Sequence, residues 1–317
     1  MKVLKSIGDL GSVPGPVALA IGVFDGVHQG HQEVIRSAQE FAAQHSGTAV
    51  VLTFDPHPLN VLRPGKGPRL LCSSRHKLMI LEGLGITHAV VQTFDENFAA
   101  TQALDFIQSL SDACRPLGFI SVGYSWRFGQ GGAGDIHLLM DAGHQMGFGV
   151  YGVPSVQVDG LPVSSTAIRE AVKVGDFALA RTLLGRDYTV LGSIVEGRKL
   201  GRQIGFPTAN LDIETEQLPP PGVYAVTARV NGIYHKGVAN LGFRPTLEEK
   251  EARLKLEVHL FDFAGDLYGQ DAEVTLVSQV RSEIKFSGLE ELKTQIALDC
   301  AEARRILNES SLTSPIR

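Results

Sequence analysis

The chain has 317 residues, 44% hydrophobic and 20% charged, which supplies apolar surface for two ordinary cores and lacks the signature of a disordered segment. A formal net charge of −5 offers no overall basic field to nucleic acid or an anionic membrane, and no run of about 18 apolar residues reads as a membrane span. Cys72, Cys114 and Cys300 are scattered without a CxxC pair, which excludes a zinc framework or a disulfide scaffold.

Met1 to Leu10 has no apolar signal core, so the expected location is the cytoplasm. From Val17 to Val153, short apolar runs alternate with helical patterns. Val17 to Val23, Thr48 to Phe54, His88 to Gln92, Phe119 to Val122 and Phe148 to Val153 read as strands. His31 to Gln44, Arg75 to Gly83, Ala103 to Leu110 and Ile136 to Met146 read as the helices between them, which predicts a parallel α/β sheet. Two short helices follow, Thr166 to Val174 and Phe177 to Leu184. Beyond Gly185 the strand candidates succeed one another through turns, which predicts an antiparallel sheet or small barrel. Its strands are Tyr188 to Val195, Val223 to Val230, Ile233 to Ala239, Leu254 to Phe261 and Ala272 to Val280, and Leu289 to Leu307 closes the chain as an amphipathic helix before a polar tail. The predicted domains are residues 1–185 and 186–317.

The first strand runs into Gly22-Val-Phe-Asp-Gly-Val-His-Gln-Gly-His31 and a helix. A glycine-bearing turn at a helix start offers backbone N–H groups and the positive dipole end to a phosphate, and His28 and His31 flank Gly30 so that two imidazoles address the same charge. Read by itself, an HxGH also suits a sharp turn with surface histidines. Downstream, Ser164-Ser-Thr-Ala-Ile-Arg169 enters another helix, where hydroxyls and a guanidinium suit phosphate oxygens or, equally, simple capping. Phe54-Asp-Pro-His-Pro58 and Val122-Gly-Tyr-Ser-Trp-Arg-Phe-Gly129 follow predicted strands at the carboxyl edge of the sheet, where open α/β sheets bind ligands. In the second domain, Gly197-Arg-Lys-Leu-Gly-Arg-Gln-Ile-Gly-Phe-Pro-Thr-Ala-Asn210 is not a Walker loop, yet it joins glycines, basic residues and a Pro207-Thr208 turn suited to polyphosphate and a divalent ion.

The decapeptide and the SSTxIR segment resemble the HxGH nucleotidyltransferases, a Rossmann-like α/β class, and FDPHP with VGxxxRFG resembles the adenylyltransferase domain of bacterial riboflavin kinase/FAD synthetases. GFPTAN, Gly222-Val-Tyr-Ala225, Asn240-Leu-Gly-Phe-Arg-Pro-Thr246, Leu256-Glu-Val-His-Leu260, Asp266-Leu-Tyr-Gly269 and Arg281-Ser-Glu-Ile-Lys-Phe286 match riboflavin kinases, so the resemblance covers both domains. It implies a β-barrel kinase domain with a terminal helix, riboflavin, FMN, FAD and ATP as ligands, Mg²⁺ with the ATP, and no nucleic acid or membrane partner.

By that resemblance Glu257 is the base facing the ribityl 5′-hydroxyl, where strand alternation alone would make it an ordinary outward residue. Thr208 and Asn210 hold Mg²⁺ and ATP, joined by Gly201, Arg202 and Gly205. In the front domain His28 and His31 act on the ATP phosphates, with Gly22, Phe24, Asp25, Gly26, Ser164, Ser165, Thr166 and Arg169 forming the rest of the nucleotide site. His57, Pro58, Ser125, Trp126 and Arg127 line one flavin site, and Arg281 and Phe286 border the other, although a salt bridge and a core contact explain the last two as well. Trp126 suits either stacking on a ligand ring or anchoring its loop. One departure stands out: the family usually has Asp or Asn followed by Phe where this chain has Ser125 and Trp126. Two other readings stay open, a riboflavin kinase whose front domain is weak in FAD synthesis, and a flavin-sensing regulator. His259 shares a strand face with Glu257 and reads as supporting structure.

Overall fold

The computed structural model describes residues 1–197, 201, 204–215, 217–243 and 254–311. By contacts the chain divides into two compact units, Met1–Leu70 with Ser74–Ala167, and Leu71–Ser73 with Ile168–Arg317.

In the first unit, β1 (Lys2–Leu4), β2 (Val17–Ile21), β3 (Thr48–Asp55), β4 (His88–Thr93), β5 (Leu117–Gly123) and β6 (Gly149–Val153) form a parallel sheet in the order β1-β4-β3-β2-β5-β6. All five residues of β2 are buried, as expected of a strand covered on both faces. Strand alternation divides them: Leu19 and Ile21 join the core beneath α5 (Ala103–Ala113) and α6 (Ile136–Met146), while Ala18 and Ala20 join the core beneath α1 (Gln29–Gln44) and α3 (Ser74–Gly83). Two alanines at that second face give α1 a flat bed for Val34, Ile35 and Ala38.

From β2 the chain proceeds outward to β3 and β4, then returns to lay β5 and β6 on the other side. The order therefore reverses at β2 and β5, and the crevice beyond their carboxyl ends is where such sheets take ligands. The short helices α2 (Pro58–Leu62) and α4 (Glu96–Ala99), the strand β1 and a two-stranded ribbon of β7 (Gln157–Val158) and β8 (Leu161–Pro162) are additions to the predicted pattern.

The helix α7 (Ser165–Val174) begins in the first unit and enters the second at Ile168, where α8 (Phe177–Leu184) leads into β9 (Thr189–Val195), β10 (Ala209–Ile213), β11 (Gly222–Val230), β12 (Ile233–Phe243), β13 (Leu254–Leu260) and β14 (Asp271–Ser282). These close into an antiparallel barrel in the order β10-β13-β12-β11-β14-β9. On β13, Leu256, Val258 and Leu260 are buried and alternate with half-buried Glu257 and His259. The final helix, α9 (Leu289–Ser311), runs past the predicted end at Leu307 and covers one outer face of the barrel. Ala303 and Leu307 pack there on Val223, Ala225, Val238 and Phe261. Lys236 secures the far end of the helix by donating to the Leu307 carbonyl at 3.2 Å and to Asn308 Oδ1 at 2.9 Å.

Candidate active sites

The segment after β2 turns sharply and enters α1 at Gln29, two residues before the predicted start. Phe24 and Val27 take left-handed φ values of 53° and 42°, unusual for an aromatic and a β-branched residue. His28 is the N-cap of α1, and its Nδ1 accepts from the His31 backbone N–H at 3.3 Å, which places the proton of the neutral ring on Nε2. The two imidazoles are stacked, with centroids 3.5 Å apart and planes 15° from parallel, and the Phe24 ring meets His31 edge-on at 5.2 Å. Asp25 and Gly26 are buried beside them, and Gly22 is half-buried at the end of the strand.

The SSTxIR segment reaches this loop. Ser165 Oγ donates to the Asp25 carbonyl at 3.0 Å, while Ser164 Oγ caps the helix by accepting from Ala167 N at 3.2 Å. Capping and loop contact thus occur together, divided between neighbouring serines. Thr166 is exposed and Arg169 half-buried one turn along α7. The predicted flavin residues follow β3 and β5 at the same carboxyl edge. His57 is the N-cap of α2, accepting from Leu59 N at 3.1 Å, and Pro58 opens the helix. Ser125 is exposed. Trp126 stacks on Phe128 at 4.7 Å and meets Phe106 at 6.2 Å, so its ring anchors the loop. Arg127 pairs with Asp135 at 3.1 Å. The Leu138 amide, followed by that guanidinium, holds the Asp135 carboxyl below the usual carboxylate range.

Sequence reasoning passed over a buried cation in this unit. Lys77, on α3, is 6% exposed and donates to the Val23 carbonyl at 2.9 Å and to Thr53 Oγ1 at 3.2 Å.

In the barrel unit, the strand register assembles the site. Asn210 lies opposite Glu257, Glu257 opposite Asn240, Asn240 opposite Val223, and Val223 opposite Arg281. Directly opposite residues share a face. The five therefore form one row across five strands, and all five line a cavity of about 260 Å³. Gly201, Thr208, His259 and Phe286 line it too, with Leu292, Ile296 and Asp299 contributed by α9.

Gly201 has no room for a side chain: a Cβ there would stand 2.3 Å from the Phe206 carbonyl, and the Phe206 N–H closes the turn onto the Gly201 carbonyl at 2.8 Å. At Gly197 a Cβ would stand 2.2 Å from Asn210 Nδ2, so the glycine leaves space for that amide. His259 Nδ1 lies 2.8 Å from the Pro207 carbonyl, and its ring meets Phe206 edge-on at 5.6 Å, which fixes the turn that presents Thr208. Gly205 is exposed at the tip, and Arg202 lies outside the described residues, as do Arg244, Pro245 and Thr246.

Arg281 is held by Asp299, Nε to Oδ1 at 2.9 Å and Nη2 to Oδ2 at 2.7 Å, and sits 5.7 Å from the centre of the Phe286 ring. The salt bridge and the cavity wall are therefore the same residue. Asn240, Glu283 and Asp299 are cavity residues that motif reading did not single out. Asn240 lies inside a quoted family segment, whereas Asp299 carried no signal in the sequence. A second cavity, of about 530 Å³, shares Thr208 with the first and has Pro207, Ala209, Phe263, Asp266 and Tyr268 in its wall. Among the described residues, no cluster of three or more His, Cys, Asp or Glu is placed to hold a metal ion.

Comparison with known proteins matches two families to successive parts of the chain. The FAD synthetase family profile matches residues 12–167 and the riboflavin kinase profile matches residues 184–307. A bifunctional riboflavin kinase/FMN adenylyltransferase of Escherichia coli K12 is 40% identical over 319 residues, spanning 99% of this chain and 100% of its own. That of Bacillus subtilis is 38% identical, over 90% and 91%. A crystal structure described as a macrolide-efflux protein from Streptococcus pneumoniae superposes with a TM-score of 0.79 at 28% identity, covering 94% of this chain and 96% of that one. Among the described residues of this chain, no helix is long and apolar enough to cross a membrane. With both domain profiles in order along one chain and full-length relatives at this identity, the protein belongs to the bifunctional riboflavin kinase/FMN adenylyltransferase family.

Proposed function

We propose that the C-terminal unit phosphorylates riboflavin to FMN with ATP, and that the N-terminal unit joins FMN to the adenylyl group of a second ATP to give FAD and pyrophosphate. The observation that carries the kinase half is the cross-strand row that puts Glu257 between Asn210 and Asn240, with Arg281 at its end, in one cavity. Glu257 accepts the proton of the ribityl 5′-hydroxyl as that oxygen attacks the γ-phosphorus, and ADP leaves with the bridging electrons. The Phe286 ring and the Arg281 guanidinium border the flavin.

Gly201, Arg202 and Gly205 wrap the phosphates, and the second cavity, with Tyr268 and Phe263, takes the rest of ATP. The families involved generally need a divalent ion with ATP, and we assign Mg²⁺. The Thr208 hydroxyl and the Asn210 amide oxygen are hard donors that suit it. An ion held there would supply neutralisation of the phosphate charge.

For adenylyl transfer, an FMN phosphate oxygen attacks the α-phosphorus of ATP and pyrophosphate departs. His28 and His31 present a stacked pair of ring edges to the charge that develops. Gly22, Phe24, Asp25, Gly26, Ser164, Ser165, Thr166 and Arg169 complete the nucleotide site. His57, Pro58, Ser125 and Arg127 contact FMN, with Trp126 as the packed floor of their loop.

The test is a chromatographic time course of riboflavin, ATP and Mg²⁺ with the purified chain. FMN should appear first and FAD after it. His28→Ala should remove FAD formation and spare FMN formation, and Glu257→Ala should do the reverse when FMN is supplied, each by about 10²-fold or more. If either substitution abolished both half-reactions in folded protein, the assignment of two separate sites would be wrong.

A further inference from the structure

The loop between β2 and α1 is held by its carbonyl oxygens. The Val23 carbonyl accepts from Lys77 Nζ at 2.9 Å and from Thr53 Oγ1 at 2.9 Å. The Asp25 carbonyl accepts from Ser165 Oγ at 3.0 Å, and the Val27 carbonyl from Gln32 Nε2 at 2.9 Å. In a trans peptide the next N–H points opposite to the carbonyl. Donors from α3, β3, α7 and α1 therefore turn the amides of Phe24, Gly26 and His28 the other way. This clamping also explains how the left-handed φ values at Phe24 and Val27 persist, since such conformations cost roughly 1–3 kcal/mol each unless the surroundings over-determine them.

Among these donors Lys77 alone carries a full charge. Its ammonium places a positive charge behind the first peptide of the loop, polarising the Val23–Phe24 peptide so that its N–H becomes a better donor to an anion.

We propose that Lys77 is a positioning residue for adenylyl transfer, setting and polarising the Val23–Phe24 peptide so that the loop binds the ATP polyphosphate and the departing pyrophosphate. This rests on the assignment of adenylyl transfer to the Gly22–His31 loop. Lys77 touches no substrate itself; it works through the loop.

The test uses the full chain carrying Lys77→Met, which keeps the apolar stem and removes the charge, and Thr53→Val as a milder second variant. The KM for ATP and the inhibition constant for pyrophosphate should rise together in Lys77→Met by about tenfold or more, the equivalent of a lost hydrogen bond to a charged group. The KM for FMN should stay unchanged, and riboflavin phosphorylation in the same preparation should match the parent. Thr53→Val should move the same two constants in the same direction by a smaller factor. A merely structural lysine would lower kcat with the fraction of folded molecules and leave both constants alone. That result, or ATP and pyrophosphate constants within about twofold of the parent in both variants, would overturn the proposal. Absence of FAD synthesis in the parent, or a silent His28→Ala, would instead remove the assignment beneath it.

Discussion

Replacing Asp299 by alanine should both loosen the barrel unit and weaken its hold on flavin. Asp299 is 3% exposed and accepts four hydrogen bonds, three from Arg281 at 2.7 to 3.1 Å and one from Gln295 at 2.9 Å. Removing the carboxylate strands a guanidinium whose side chain is only 20% exposed. Breaking a buried pair in this way costs about 3–5 kcal/mol, and water reaching the partly open Arg281 favours the lower end. For a unit of this size, about 3 kcal/mol corresponds to a fall in Tm of roughly 6–12 °C. The chain's one tryptophan, Trp126, lies in the N-terminal unit, so its fluorescence follows that unit, while ellipticity and calorimetry follow the barrel as well. The barrel transition should move and the Trp126 transition should not. The double variant Arg281→Met, Asp299→Leu separates packing from recognition. It should recover most of the stability, because no buried charge is left alone, yet keep a raised KM for riboflavin because the cavity has lost its cation. A loss under about 1 kcal/mol for Asp299→Ala, the cost of a surface ion pair, would refute the reasoning.

Three further outcomes can be checked directly. Gly201→Ala should cut riboflavin phosphorylation by about tenfold or more while sparing adenylylation of supplied FMN, because the new Cβ would fall 2.3 Å from the Phe206 carbonyl and force open the turn before Thr208; steady-state kinetics of both half-reactions decide it. Burial pushes the Tyr224 phenol up to about 12 from 10.0, so its neutral form is favoured by folding. That stabilisation is complete below the unfolded value and is lost as pH rises through the folded one, so denaturant midpoints should fall between pH 10 and 12 and fall less in Tyr224→Phe. Burial likewise raises Cys114 to about 12 and Cys300 to about 11. Native protein at neutral pH should therefore leave both thiols almost unlabelled by an alkylating reagent, with Cys72, Cys114 and Cys300 all reacting in denaturant.

The N-terminal sheet was legible because each of its long strands is an apolar run ended by glycine, proline or a polar turn, and Val17–Ile21 or Thr48–Asp55 can be read almost to the residue. Three-residue β1 was not, since Lys-Val-Leu has no pattern of its own and becomes a strand by pairing Lys2 to His88 and Leu4 to Val90. A barrel was expected from five predicted strands, yet it closes with a sixth that the pattern hid. Ala209–Ile213 alternates weakly, carries Asn210 and Asp212, and gains its place from β9 on one side and β13 on the other. The same limit applies to the site. Each residue in the row from Asn210 to Arg281 lies in a recognisable segment, but their alignment is a matter of register, which depends on pairings across 71 positions of sequence and not on any local signal.

Groups that handle phosphate come as contiguous motifs because a turn and the start of one helix supply several N–H donors at once. Groups that hold those motifs in shape come singly, from wherever the fold brings a side chain near. Lys77 is 54 residues from the Val23 carbonyl it holds, Ser165 is 140 residues from Asp25, and His259 is 52 residues from Pro207. Trp126 illustrates the same division within one loop. At a position where relatives of this kind usually have phenylalanine, the larger ring is absorbed by stacking on Phe128 and meeting Phe106, so the change falls on packing. Ser125 beside it is exposed, and with FMN contacting it as proposed, any weakening of FAD synthesis should follow the shorter reach of that hydroxyl and not the indole next to it.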